Sequence, residues 1–364
     1  MRKFKRVFAQ VKDRRASNAQ YPLLEIVFIA LAATLCGAQH CTEFEEFGHA
    51  KQAALRKILD LKHGIPSHDT FSTVFRALDP HSFEAALGRF TKAFNKRLGK
   101  PRTIAIDGKA LRGAYRRGGR FTPLHLVNVW ACEARMVLAQ RTAPQRNEIA
   151  GALEVLALLD LDGAIVTADA LHCTAAMAQA ILARNGGYVL ALKNNRAKLF
   201  RDASARLARP RGASRAQQRS TVVHDRRERR SAVVVPASDM ADQHAFPGIR
   251  AVGRIDSWRR TASGKATRKS RYFLLSRKLS AARFLAVARG HWGIENNLHW
   301  ILDVVFAEDK NRSRMDHAPE NLAVLRKLAI NTLQACPYVA SMRRKILRAG
   351  WNDDFLLSLF FHMR

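Results

Sequence analysis

Hydrophobic spacing changes once along this chain, near residue 100, and that change sets the fold class as α/β. Before it, apolar residues recur at helical spacing. Tyr21–Gly37 reads as an apolar helix, and 42–61 carries Phe44, Phe47, Ala54, Leu55 and Ile58 on one side. Ser67 opens another helix, striped by Phe71, Val74, Phe75 and Leu78 and broken at Asp79-Pro80. A fourth runs over 81–98 with Phe83, Leu87, Phe90 and Phe94. The pair joined across Asp79-Pro80 reads either as a helix-turn-helix or as plain helical packing. Gly99-Lys100-Pro101 marks a boundary, and the basic start, 1–15, reads as an arm that touches phosphate.

Beyond residue 101 the period is that of strands. Thr103–Asp107 is a short strand stopped by Gly108. Segments 123–132 and 134–141 form an antiparallel pair turning at Glu133. A helix over 147–159, a buried strand over 163–168, a helix over 174–184 and a strand over 187–192 follow. Residues 196–282 then interrupt. The Arg-dense 206–230 stretch reads as a linker or basic loop. Segments 221–235 and 250–276 read as hairpins, the second turning at Ala262-Ser263-Gly264. It is either a solvated charged ribbon or one that tracks phosphates. A long helix over 281–303 has Phe284, Val287, His291, Ile294, Leu298 and Ile301 on its core face, with Glu295 at the margin. A closing helix over 319–334 and a helical tail complete the pattern.

Charge selects the partner. Lys and Arg number 62 against 30 Asp and Glu, a net charge of +32. Such an excess repels itself across a folded surface, and a polyanion relieves it. Nucleic acid leads, ahead of a membrane surface or a ribosome, because neutralised phosphates release counterions. The apolar run 26–36 is shorter than the ~20 residues a bilayer needs. Five cysteines without C-x-x-C spacing suit buried thiols in a reducing cytoplasm.

Acids fall where chemistry can use them. Asp107 and Asp169 each end a buried strand, and adjacent strands would bring both carboxylates to one sheet edge. A carboxylate there is costly without compensation. Magnesium or manganese, which take oxygen ligands, supplies it. Glu295 on its helix would complete the set. Two such ions clamp an in-line phosphoryl displacement. Each acid also has a plain reading: Asp107 as a turn residue, Asp169 as a helix cap, Glu295 as a surface acid. Lys109, Arg112 and Lys193 are phosphate-gripping candidates or solvated charges, and Asn147-Glu148 help place substrate or simply start a helix. His172, His291 and His299 read as packed histidines before ligands, and Trp292 and Trp300 as core before base-stacking platforms.

Five strings carry a resemblance: I-A-I-D-G-K-A-L-R-G (104–113), G-A-I-V-T-A-D-A-L-H-C (163–173), G-Y-V-L-A-L-K-N-N (187–195), H-W-G-I-E-N-N-L-H-W-I-L-D-V-V-F-A-E-D (291–309) and A-P-E-N-L-A-V-L-R (318–326). The chain resembles the insertion-sequence transposases related to the H-repeat-associated proteins. That resemblance implies a ribonuclease H-like catalytic core with a β-rich insertion, preceded by a small helical N-terminal domain. It implies a DDE triad at Asp107, Asp169 and Glu295, two magnesium ions, and transposition of DNA. It divides the chain into 1–100, a catalytic 101–340 with the insertion at about 196–282, and a tail over 341–364. Transposon ends and target DNA are the expected partners, a homodimer the expected assembly on them, and the cytoplasmic nucleoid the expected location. The alternatives on the same core are a nuclease or resolvase without strand transfer, or an inactive DNA-binding relic. The Tyr, Arg and Lys that related transposases place around the Glu are here Ala288, His291 and Leu302. His291 and Lys310 are the candidates for their phosphate contacts.

Overall fold

A computed structural model describes residues 2–15, 18–94, 102–115, 123–219, 227–261 and 264–361. The first part is helical: α1 (Arg2–Phe8), α2 (Leu23–Leu35), α3 (Cys41–Ala50), α4 (Gln52–Leu55), α5 (His68–Ala77) and α6 (Pro80–Phe94). The single helix expected over 42–61 is broken at Lys51, whose φ of −110° leaves the helical range. Ser67 caps α5 by accepting from Thr70 N, and Asp79 Oδ2 accepts from Ser82 N where Pro80 begins α6. α2 is apolar on all sides and buried from Glu25 to Leu35. Its Glu25 is compensated by two main-chain donors, Asp60 N and Leu61 N.

The basic start is not a loose arm across the described residues. Phe4, Val7 and Phe8 are buried, and Phe4 meets Phe28 edge-on at 5.1 Å. Burying aromatic rings outweighs the pull of solvent on Lys5 and Arg6 between them. α5 and α6 turn their apolar stripes inward onto α12 (Ala318–Ala335), which agrees with plain packing. Residues 95–101, with the expected boundary, lie outside the described residues.

The strands are β1 (Thr103–Tyr115), β2 (Pro123–Ala131), β3 (Met136–Thr142), β4 (Ile165–Ala168), β5 (Gly187–Leu192), β6 (Ser214–Arg219), β7 (Arg227–Pro236), β8 (Ala251–Arg260) and β9 (Ala266–Leu275). They form one sheet in the order β3-β2-β1-β4-β5-β9-β8-β7-β6. β1, β4 and β5 are parallel and every other pairing is antiparallel. The expected interruption therefore extends the same sheet. The Arg-dense stretch is not a linker: it holds the end of α9 (Ala197–Ala208) and then β6. The second hairpin stands as expected in β8 and β9. Its turn residues 262–263, and 220–226 between β6 and β7, lie outside the described residues.

Helices cover both faces. α7 (Glu148–Ala157), α8 (Ala175–Leu182) and α9 pack on one, over Ile104, Ile106, Val166 and Leu190. Asn147 and Thr174 cap the first two through Ala150 N and Met177 N. α10 (Met240–Gln243) lies between β7 and β8, and α11 (Ala281–Gly293) packs on the other face over Ile165, Val189 and Phe273. α12, α13 (Met342–Trp351) and α14 (Asp353–Phe361) close the chain, sharing one apolar core with the first helices.

Two expectations fail here, and both concern the site. β1 does not stop at Gly108. It continues to Tyr115, because β2 keeps pairing with it after β4 has ended. The long helix over 281–303 is α-helical only to Gly293. From Ile294 to His299, and again from Ile301 to Val305, it is wound as a wider π-helix. The expected core stripe survives this change: Ile294, Leu298 and Ile301 are all buried.

Candidate active site

Parallel pairing brings the two aspartates to one level. Ile106 pairs with Ala168, the last step of the β1–β4 ladder, and Asp107 and Asp169 are the next residue on each strand. Adjacent strands run about 4.8 Å apart. Each carboxylate is anchored by one oxygen. Asp107 Oδ1 accepts from Gly108 N at 3.0 Å. Asp169 Oδ1 accepts from Leu171 N at 3.1 Å, His172 N at 3.3 Å and His172 Nδ1 at 2.8 Å. The helix-cap reading of Asp169 is thus half right: it ties the turn, while Thr174 caps the helix. Asp107 Oδ2 faces His299 Nδ1 at 3.7 Å.

Electrostatics separates the pair. Burial pushes the Asp107 carboxyl up to about 7, and the charges of Asp169 and then Glu295 add to it. Burial also works against Asp169, but the His172 hydrogen bond and charge outweigh it and hold that carboxyl below its ordinary value. Glu295 is therefore close enough to act on Asp107. It is itself exposed, on the first π turn, in a hollow of about 560 Å³ that it shares with Arg230, Arg271, Trp292 and Asn296. Among the described residues no three His, Cys, Asp or Glu side chains already stand in the close set a bound metal needs.

The other candidates divide. Lys109 turns inward, 7 % exposed, its Nζ 2.7 Å from Asp303, 3.2 Å from Asp309 and 3.3 Å from Glu308. Its charge is spent inside the protein and not offered to a phosphate. His291 donates no cation either: burial pulls its imidazole down to about 4, and Nδ1 lies 3.2 Å from Thr167 Oγ1. Arg112 projects outward, 3.6 Å from Asp309, and Lys193 and Lys310 are exposed. Ala288 and Leu302, at the positions of the usual Tyr and Lys, are core residues. Glu148, next to Asn147, binds His125 at 2.9 Å and fills the space over Gly108.

Several residues gain a place that spacing did not give them. His172 is buried, as a packed histidine would be, yet it grips Asp169 directly. Its only sequence signal was the three-residue step from that aspartate. Trp300 is 55 % exposed, not core. Trp292 lies under the guanidinium groups of Arg271 and Arg230, 4.7 and 5.7 Å from its ring centre. Asn128, the β2 partner of Asp107, is fully buried with neither amide atom hydrogen-bonded. Nothing local in the sequence marked it.

Residues 98–332 match the family described as Transposase DDE domain, and residues 5–91 the family described as DDE_Tnp_1-associated. The chain belongs to the DDE transposase family. Its relatives include the protein named "Putative transposase YncI" of Escherichia coli O157:H7, 30 % identical over 94 % of this chain and 90 % of that one. The "H repeat-associated putative transposase YhhI" of Escherichia coli K12 is 29 % identical over 95 % and 94 %. A protein of the dhlA 3' region of Xanthobacter autotrophicus is 37 % identical over 72 % and 90 %. This transposase keeps an acid at each of the three expected positions, and no helix among its described residues is long and apolar enough to cross a membrane.

Proposed function

We propose that this transposase binds the terminal inverted repeats of an insertion sequence and catalyses metal-dependent cleavage and transfer of DNA strands. One observation carries the reading. Asp107 within β1 and Asp169 just past β4 stand at one level on adjacent parallel strands, each with Oδ1 anchored and, among the described residues, Oδ2 uncommitted to a main-chain donor. The donor set fits hard divalent cations: carboxylate oxygens, one of them destabilised by burial and then by its neighbours' charge until a cation offsets it. Asp107, Asp169 and Glu295 would hold two magnesium ions, with manganese a substitute. When bound, the ions activate the attacking oxygen and stabilise the leaving one. His172 keeps Asp169 oriented and ionised. The exposed position of Glu295 leaves it free to close on the pair.

The strands β3-β2-β1-β4-β5 and their helices support a ribonuclease H-like core, and β6–β9 the β-rich insertion. We keep 1–100 as an accessory helical domain, 101–340 as the catalytic one and 341–364 as a tail. The outer half of β9, from Ala266 to Arg271, is exposed on both faces and carries Arg268, Lys269 and Arg271. We read it, with the end of β8, as the surface that follows the DNA backbone. Two copies acting on paired ends, in the cytoplasm at the nucleoid, complete the proposal.

The lost Arg and Lys neighbours of Glu295 favour one rival, a nuclease or resolvase that cuts without joining. Supplying a 3′-hydroxyl transposon end, target DNA and magnesium decides between them. Joined products are expected. Cleavage with no joining would leave the nuclease.

A further inference from the structure

Two residues past Asp107, on the same face of β1, Lys109 draws together three carboxylates that the catalytic reading does not use. Asp303 Oδ1 accepts from its Nζ at 2.7 Å and Asp309 Oδ1 at 3.2 Å. Glu308 Oε2 is 3.3 Å away, outside hydrogen-bond geometry, and both its oxygens are otherwise unpartnered. The chain beyond Asp303 lies directly on the strand, so that a side chain at Gly113 would collide with the Asn311 carbonyl. Asp309 Oδ1 also takes the Arg112 main-chain N–H at 3.3 Å.

Asp303 belongs to the same rod as Glu295. Between them, four residues from each, stands His299, facing Asp107. An α-helix rotates by about 40° over four residues, so this series would drift round it. Bonds of the i→i+5 kind widen the turn, so there the series drifts the opposite way, and a rod wound partly α and partly π keeps it near one side. Glu295, His299 and Asp303 accordingly share the side toward β1. Wide winding is rare and does not sustain itself. Tertiary contacts must hold it, and the charged ones sit at its far end, on Lys109.

We propose that Lys109 is a positioning residue: by binding Asp303, Glu308 and Asp309 onto the strand of Asp107, it holds the wide-wound helix in the register that turns Glu295 toward Asp107 and Asp169. This rests on the three-carboxylate reading. It assigns the lysine no contact with DNA.

The test uses the full-length protein, with manganese as probe, read by electron paramagnetic resonance of the free ion and by thermal melting. Glu295→Gln is expected to weaken manganese binding. Lys109→Met is expected to weaken it by about tenfold or more, the usual scale for groups that orient metal ligands. Lys109→Arg largely restores it. In a Glu295→Gln background Lys109→Met adds nothing, because the residue it positions has lost its charge. Asp303→Asn, a milder change at a partly exposed acid, carries the same expectation where Lys109→Met fails to fold. A Lys109→Met protein that melts earlier but binds manganese like wild type would overturn the proposal alone. Unchanged binding in Glu295→Gln would overturn it together with the three-carboxylate reading.

Discussion

Two clusters of three acids meet β1, and only one of them has a lysine at its centre. Asp303, Glu308 and Asp309 receive a cation from the protein itself. Burial opposes the Lys109 charge, but Glu308 and then Asp303 and Asp309 hold the ammonium above its ordinary value. At the other cluster burial, and then the charges of Asp169 and Glu295, push the Asp107 carboxyl up to about 7, while His172 offsets burial at Asp169. Where the chain supplies the counter-charge, the electrostatics is settled at folding. Where it withholds it, the proposed site leaves that charge to a bound cation. His172 sharpens the contrast, since it orients Asp169 without taking the oxygen a metal would use.

Neutralising the acids of each cluster should therefore have unlike consequences. Asp107→Asn, Asp169→Asn or Glu295→Gln should lower DNA cleavage by about a thousandfold or more, as several kcal/mol of charge stabilisation are lost. DNA binding without metal should change little. A cleavage assay beside a filter-binding assay measures both. Undiminished cleavage by any one variant removes that residue from the site.

The inner cluster should answer in stability. Lys109→Met leaves three carboxylates facing one another with their cation gone, and breaking such a buried group costs about 3–5 kcal/mol. Asp309→Asn removes one of several partners and should cost about 1 kcal/mol. Urea unfolding measures both. Equal, small losses would mean that the Lys109 cluster is as loosely held as a surface ion pair.

How much of this was legible follows from where the determinants lie. Asp107 and Asp169 could be read because a buried apolar run followed by an acid is a local signal, and the pairing of β1 with β4 brings the two acids to one level. Capping residues such as Ser67, Asn147 and Thr174 were legible for the same reason. The length of β1 was not, because Gly108 looks like a stop until β2 is seen to pair past it. Lys109 read as a phosphate-gripping or solvated charge because its three acids stand about 200 positions away. The π winding leaves no mark on hydrophobic spacing, since Ile294 and Leu298 are buried in either winding. Trp300 was read as core because an aromatic residue near an apolar stripe usually is.

Acidity offers a finer test of the same contrast. The Asp107 carboxyl is raised from 3.8 to about 7. A raised carboxyl favours the metal-free fold below its unfolded value, and that contribution is lost as pH rises through 7. A cation binds the ionised form and reverses the loss. Manganese affinity should therefore fall about tenfold per pH unit below 7, because one proton must leave. The rise in melting temperature on adding manganese should be larger at pH 8 than at pH 6. Affinity that is flat between pH 5 and 7 would mean that Asp107 is ionised without metal, and the contrast between the clusters would go with it.

The smallest effect expected concerns cations in place of acids. On the β8–β9 ribbon Arg259 donates to Glu228 at 2.8 Å, and its charge is already met. Among the described residues Arg268 and Lys269 have no carboxylate partner, and both are exposed. If phosphates are their intended partners, these two should release counterions on binding and Arg259 should release fewer. Each lost phosphate contact lowers the slope of log affinity against log salt by about 0.9. The double variant Arg268→Gln, Lys269→Gln should thus flatten that slope by about 2, and Arg259→Gln by clearly less. Equal flattening by both variants would mean that an internal ion pair does not distinguish these positions. No flattening by either would move the DNA off this ribbon altogether, while leaving untouched the proposal that strands are cut at the acid edge of the sheet.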